Sequence, residues 1–323
     1  MINFKNFNAE DYIVEAKSGT SYSDEHAHAR IWNHMTGLGI AHDKAKMQKE
    51  FAKAKTDKTH PLHFSKAPDE GFVGGKKTNA AKESYHQEHE NAIHTVHALA
   101  NHPDFKEAIK KKHKAVVMGN QKGEVSDTWK KYGATKGGTS KSDVAIKDPN
   151  DEHHHGLKLS MKKGGGSQLM SGGPEENAAV HHHAAHEMLS KHPSYKDLPE
   201  KRKTKIHQEI MNHIHHVSSQ LNAMKNASKE KQTQHREIAQ HHLDTIHNQH
   251  PALNHYVRKE AATGRGKFGE GSAHAASYLV KSASHGGDAE VKHVDKHDWS
   301  GPKPRAALPK GEGRSGNVKS DEK

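Results

Sequence analysis

The chain of 323 residues sets 50 Lys and Arg against 39 Asp and Glu, for a formal charge of +11, and adds 34 His and no Cys. The missing Cys excludes a disulfide framework, a thiolate metal centre, an Fe–S cluster and a cysteine nucleophile. No apolar run reaches the roughly 18 residues of a membrane span, and the opening MINFKNFNAEDY lacks the apolar segment of a signal peptide, so neither membrane insertion nor secretion is expected.

Hydrophobic residues make up 31% and aromatics 5%, below the usual level of about 45–50% apolar. The composition therefore predicts a modest folded centre with long polar helices and disordered ends. The basic balance points to a polyanionic partner, nucleic acid first, held by Coulomb attraction and counterion release.

In chain order, Ser23 followed by Asp24 and Glu25 reads as a helix start with acids in its first turn. Ile31, Met35 and Leu38 continue it until Gly37 and Gly39. Thr56 to Lys77 is rich in Pro, Gly and Lys and reads as a loop. Ala92, Val96, Leu99, Phe105 and Ile109 form a thin apolar stripe on a second helical segment, about 80–112. Three strands follow, at Ala115–Met118, Asp143–Ile146 and Gly156–Lys162, and no other β signal is clear. Helices then run over about Glu175–Lys191, Glu200–Lys225 and Lys229–Gln249, separated by Pro193, Pro199 and Pro251. The division is a helical region 1–112, a β-rich core 113–176, a His-rich helical region 177–282 and a largely disordered tail 283–323.

The third strand alternates strictly. Leu157, Leu159 and Met161 take one face; Lys158, Ser160 and Lys162 take the other. If Asp143 opens the neighbouring strand, its carboxylate reaches that polar face. A carboxylate that holds a hard divalent cation beside an ammonium is what phosphodiester hydrolysis requires.

At Lys141-Ser142-Asp143-Val144 and Leu159-Ser160-Met161-Lys162 the sequence resembles the restriction-endonuclease-like nucleases of the PD-(D/E)xK type. The resemblance implies a small mixed sheet in an α+β or α/β fold, flanked here by long His-rich helices. It implies Asp143 as metal ligand, Lys162 as catalytic lysine and the Met161 main-chain carbonyl as a further ligand to Mg²⁺ or Mn²⁺. Gln168 would fix water or phosphate, and Glu25 is the candidate for the acid that a preceding helix contributes. Ser160 stands where most of the family has a carboxylate, a departure that weakens cation binding.

Met118-Gly119-Asn120-Gln121, Trp129-Lys130-Lys131-Tyr132-Gly133, Gly165-Gly166-Ser167-Gln168-Leu169 and Glu260-Ala261-Ala262-Thr263-Gly264 are similar to segments of a group of tailed-bacteriophage proteins, virion-associated or uncharacterised. That implies a place in the virion or the host cytoplasm, with DNA and virion subunits as partners.

Two other readings stand beside the DNA endonuclease. One is a non-enzymatic virion or DNA-packaging protein; the other is a His-rich metal-binding protein. His86 and His89, His182 and His186, His213 and His216, and His247 and His250 lie at spacings that let imidazoles share Zn²⁺, Ni²⁺ or Cu²⁺. A dedicated site needs further ligands. His89-Glu90 and His186-Glu187 both lack the second His of HExxH, and no Walker spacing occurs.

Overall fold

The computed structural model describes residues 21–119, 121–132, 138–148, 156–163, 168–282 and 289–321. Helix α1 (Asp24–Gly37) begins where Ser23 accepts the His26 N–H, and it buries Ala27, Ile31, Trp32 and Met35 along one stripe. Asp43 caps α2 (Lys44–Thr56) in the same way. The loop before α3 (Ala81–Asn101) is a run of single 3₁₀ turns between Phe64 and Gly75. His102-Pro103 ends α3, since a residue before proline is pushed out of the helical region, and α4 (Lys106–Lys110) restarts beyond it. The single segment expected over 80–112 is therefore two helices.

The strands are β1 (Lys114–Val117), β2 (Lys122–Gly123), β3 (Gly138–Thr139), β4 (Val144–Lys147), β5 (Leu157–Lys163) and β6 (Gln168–Gly172), with α5 (Asp127–Lys131) between β2 and β3. Helices α6 (Pro174–Lys191), α7 (Glu200–Ala223), α8 (Lys229–Gln249), α9 (Pro251–Thr263) and α10 (Arg265–Phe268) come next. Four more strands close the chain: β7 (Tyr278–Ser282), β8 (Glu290–His293), β9 (Arg305–Ala307) and β10 (Asn317–Asp321).

The main sheet is mixed and five-stranded, in the order β1-β4-β5-β7-β8. β1, β4 and β5 form an antiparallel meander, β7 joins parallel to β5, and β8 pairs antiparallel to β7. A parallel neighbour needs a long crossover, and the whole α6–α10 assembly supplies it. β6, β10 and β9 form a second, antiparallel sheet.

Cores lie on both sides of the main sheet. Val144, Ile146, Leu159, Met161 and Val280 pack with α1 to α4 through Trp32, Phe51, Tyr85 and Phe105. Leu279 faces α6 to α9, where Ile210, Ile214, Leu243 and Val257 are fully buried. Alanines (Ala179, Ala184, Ala185, Ala239, Ala261) fill much of this second core, and their small side chains bring the helices close.

The disordered tail expected over 283–323 is corrected by the strands there. Buried Arg258 on α9 donates to the carbonyls of Trp299 (2.9 Å), Pro302 (3.2 Å) and Asp321, which ties the C-terminal segment down. Gly301 is needed at this crossing, since a Cβ there would lie 2.5 Å from the Arg258 guanidinium. The expectation of three clear strands falls short as well: β7, whose Tyr278, Leu279 and Val280 are buried, and the shorter β2, β3, β6, β8, β9 and β10 add to them.

Candidate metal and phosphate site

Strand β4 places Asp143 at its entrance. Its N–H donates to Leu159 O at 2.7 Å and its carbonyl accepts the Met118 N–H at 2.8 Å, so neighbours on both sides fix its backbone. The pairing of β4 with β5 runs from Ile146 opposite Leu157 to Val144 opposite Leu159, and Asp143 lies one residue beyond it. The Met161 N–H donates to Asp143 Oδ2 at 2.6 Å, and Lys162 Nζ lies 3.9 Å from the same oxygen. Lys162 Nζ also donates to the Met161 carbonyl at 3.2 Å. Acid and amine from adjacent strands thus meet, with side chains 20% and 16% exposed, open enough to be reached from solvent.

Burial raises the Asp143 carboxyl to about 6, against the pull of Lys162 and the Met161 N–H, and Glu25 adds to the rise. The nearby Lys141 ammonium is held below its ordinary range by burial, and its Nζ donates to Leu169 O at 3.3 Å.

α1 carries Glu25 to the same place. Ser282 on β7 donates to the Lys162 carbonyl at 3.2 Å and to Asp24 Oδ2 at 3.4 Å, which pins the first turn of α1 against the end of β5. Burial works against a charge on His28, but Asp24 at 3.1 Å overcomes it and lifts the imidazole pKa. At the other end of α1, Asn33 exchanges two hydrogen bonds with Ala115 of β1, at 2.8 and 2.9 Å. Glu25 and Asp143 consequently line one pocket of about 340 Å³, together with His26, Glu70 and Val117. The Ser23 hydroxyl donates to the Glu25 carboxylate.

Of the residues singled out in the sequence, Asp143, Lys162, Met161 and Glu25 come together here. Ser160 is 2% exposed, and its hydroxyl has no hydrogen-bond partner among the described residues. Gln168 opens β6 in the second sheet, and its side chain lies outside the described residues. Glu70 and His26 were not anticipated. Glu70 sits in a turn docked on α1 by Ser23 N–H to Gly71 O (2.7 Å) and by the Tyr22–Phe72 bridge. Pro68-Asp69-Glu70-Gly71 reads only as a turn, and nothing local announces its neighbour.

Elsewhere the imidazoles pair between helices, not along them. His181 Nε2 lies 3.3 Å from His247 Nε2, His182 Nδ1 3.0 Å from His207 Nε2, and His213 Nδ1 3.0 Å from His242 Nδ1. His34, Glu50 and His60 also converge, with both Nε2 atoms within 3.1 Å of Glu50 Oε1. That trio is poorly suited to an ion. His60 Nδ1 accepts the Leu62 N–H, so Nε2 of the neutral ring keeps its proton and points it at Glu50. Lys53 and both imidazoles hold Glu50 down to about 2.

Searches of protein-family models, curated proteins and solved structures returned no match to this chain.

Proposed function

We propose that the chain hydrolyses DNA phosphodiester bonds in the pocket between α1 and the ends of β4 and β5. The observation that carries this reading is the meeting of Asp143 and Lys162 from adjacent strands, 3.9 Å apart, with Glu25 lining the same pocket. The donors around it are oxygens: two carboxylates, the Met161 carbonyl with a lone pair to spare, and the unpartnered Ser160 hydroxyl close by. Such a set fits a hard cation, Mg²⁺ or Mn²⁺, which Asp143 and Glu25 would hold. When bound, that ion supplies Lewis-acid stabilisation of the charge developing on phosphate.

The chain's own residues do the rest. Lys162, tethered to the Met161 carbonyl, presents a fixed positive charge to a phosphate oxygen or orients the attacking water. Desolvation at Asp143 makes its ionisation depend on a cation partner, which couples the state of the site to its occupancy. His26 stands in the same pocket, and burial favours its neutral, proton-accepting form.

The restriction-endonuclease-like reading gains support from the order of elements: a helix bearing the acid, an antiparallel meander bearing Asp143 and Lys162, a helical crossover and a parallel strand. A phage origin, with virion or host-cytoplasmic location, rests on the sequence phrases. Among the described residues no helix is long and apolar enough to cross a membrane.

The test incubates the full chain with supercoiled and linear DNA in Mg²⁺, Mn²⁺ or EDTA, beside Asp143→Ala and Lys162→Ala. Metal-dependent nicking that both substitutions abolish is expected. Salt-sensitive DNA retention without cleavage, unchanged in both variants, would overturn the enzyme in favour of the packaging or structural reading.

A further inference from the structure

Away from the cleavage pocket, three cations line one concavity. Lys225 follows α7, and Lys310 and Arg314 stand in the loop that joins β9 to β10; the pocket between them measures about 570 Å³. All three are exposed, and none takes part in an ion pair or a side-chain hydrogen bond among the described residues. Elsewhere cations are spent on acids: Lys53 on Glu50, Lys55 on Glu90, Lys191 on Glu187 and Lys203 on Glu200. Asn222, Ser315 and Asn317 line the same pocket, and among the described residues their side chains make no hydrogen bond either. Glu175 is the single acid in the lining, which leaves three positive charges against one negative.

The backbone holds these charges in place. The Gly316 N–H donates to Leu221 O at 2.9 Å, which docks the loop on the last turn of α7. A Cβ on Gly316 would lie 2.5 Å from Met224 Sδ, so glycine is what lets the loop sit this close. Ala307 and Asn317 pair at the mouth of the loop. Like charges fixed around one concavity raise its positive potential, and a bound anion relieves it.

We propose that this pocket holds the sugar–phosphate backbone of DNA, as an anchoring surface apart from the cleavage pocket. Lys225 and Lys310 take phosphate oxygens as point charges, and the Arg314 guanidinium can offer one phosphate two donors at once. Asn222, Ser315 and Asn317 add neutral donors, which position a nucleic-acid backbone without reading its sequence. The lining contains no apolar side chain, so it offers nothing to a lipid tail or an apolar peptide. Its concave shape suits a strand better than the flat surface of a membrane. The anchoring surface rests on the reading that DNA is the partner, but not on DNA being cut.

The experiment follows full-length, untagged protein on a short labelled DNA duplex by fluorescence anisotropy, in EDTA and over a salt series. Each phosphate contact adds about 0.9 to the slope of log affinity against log salt. The combined variant Lys225→Ala, Lys310→Ala, Arg314→Ala should lower that slope by about 2 to 3 and weaken low-salt binding at least about tenfold. Arg314→Ala alone should lower it by about 1, and Arg314→Lys, which keeps the charge, should restore it. A control, Lys49→Ala, Lys58→Ala, Lys82→Ala, removes the same charge from exposed positions on α2, the turn after it and α3, and should move the slope by less than about 1. Circular dichroism shows that each variant is folded. An unchanged slope in the combined variant overturns the proposal, as does an equal loss in the control. Tighter binding to phosphatidylserine vesicles than to the duplex, lost in the combined variant, overturns it in favour of a membrane. A parent that cuts DNA while the combined variant keeps its slope sinks this surface alone. The expected slopes without cleavage sink the nuclease alone, and a parent that ignores the duplex sinks both.

Discussion

Asp143 is an acid whose native pKa, about 6, lies above its ordinary 3.8 because burial disfavours the charge. The folded state thus binds this proton more tightly than the unfolded chain does. Its contribution to stability is full below about pH 4 and is lost as pH rises through 6. Asp143→Asn should accordingly stabilise the cation-free protein at about pH 8 by roughly 1–2 kcal/mol, an advantage that shrinks toward pH 4. Denaturant melts at the two pH values check it; a constant difference would mean the charge is not the cause. Cleavage should show an acid limb near pH 6 that moves lower as Mg²⁺ is raised, because the cation favours the ionised carboxylate. Ser160 offers a second residue-scale test. Removing a buried hydroxyl with no partner costs little or helps, so Ser160→Ala should melt within about 1 kcal/mol of the parent or above it. A fall in cleavage at unchanged stability would then give the hydroxyl a role in the site.

Strict alternation in Leu157–Lys162 made the polar face of β5 readable from sequence, and with it the meeting of Lys162 and Asp143. Glu25 was readable because a helix start with acids in its first turn is a local signal. Glu70 was not, since a turn carries no trace of the helix it docks on 45 positions back. The long helices appeared within a few residues of their expected bounds, each marked by Pro or a Ser cap. Strands β9 and β10 escaped because Arg258, buried and bonded to three carbonyls, organises a segment whose own composition is Pro, Gly and Lys. Arg258→Leu leaves those carbonyls without their donor, and loss of a buried charged donor costs about 3 kcal/mol or more. Limited proteolysis should then cut between Trp299 and Asp321 well before it attacks α7, whereas the parent resists at both places.

Across the whole molecule, buried histidines set the response to acid. His181 is held at about 4, and His89 and His247 are well below their ordinary value, chiefly through burial. These are bases with native pKa values under the unfolded 6.5, so the unfolded chain binds more protons between about pH 4 and 6.5. Stability is whole above 6.5 and falls as pH drops through that window. Asp143, and Glu260 at about 7, act in the opposite sense, but the lowered histidines, among them His26, His34, His86, His182 and His207, outnumber them. The melting temperature should therefore drop between about pH 7 and pH 5. His247→Leu, which removes one ring of the buried His181–His247 contact, should flatten that drop; scanning fluorimetry across the range reads both.

The register of β5 with β7 has a consequence for synthesis. Lys162 and its neighbours pair with Lys281 and Ser282, which leave the ribosome only after all five intervening helices. Until then one margin of β5 has no partner, and a bare strand margin is a template for joining other chains. A polypeptide that stops short of Tyr278 would keep that margin bare and so be prone to join other chains through it.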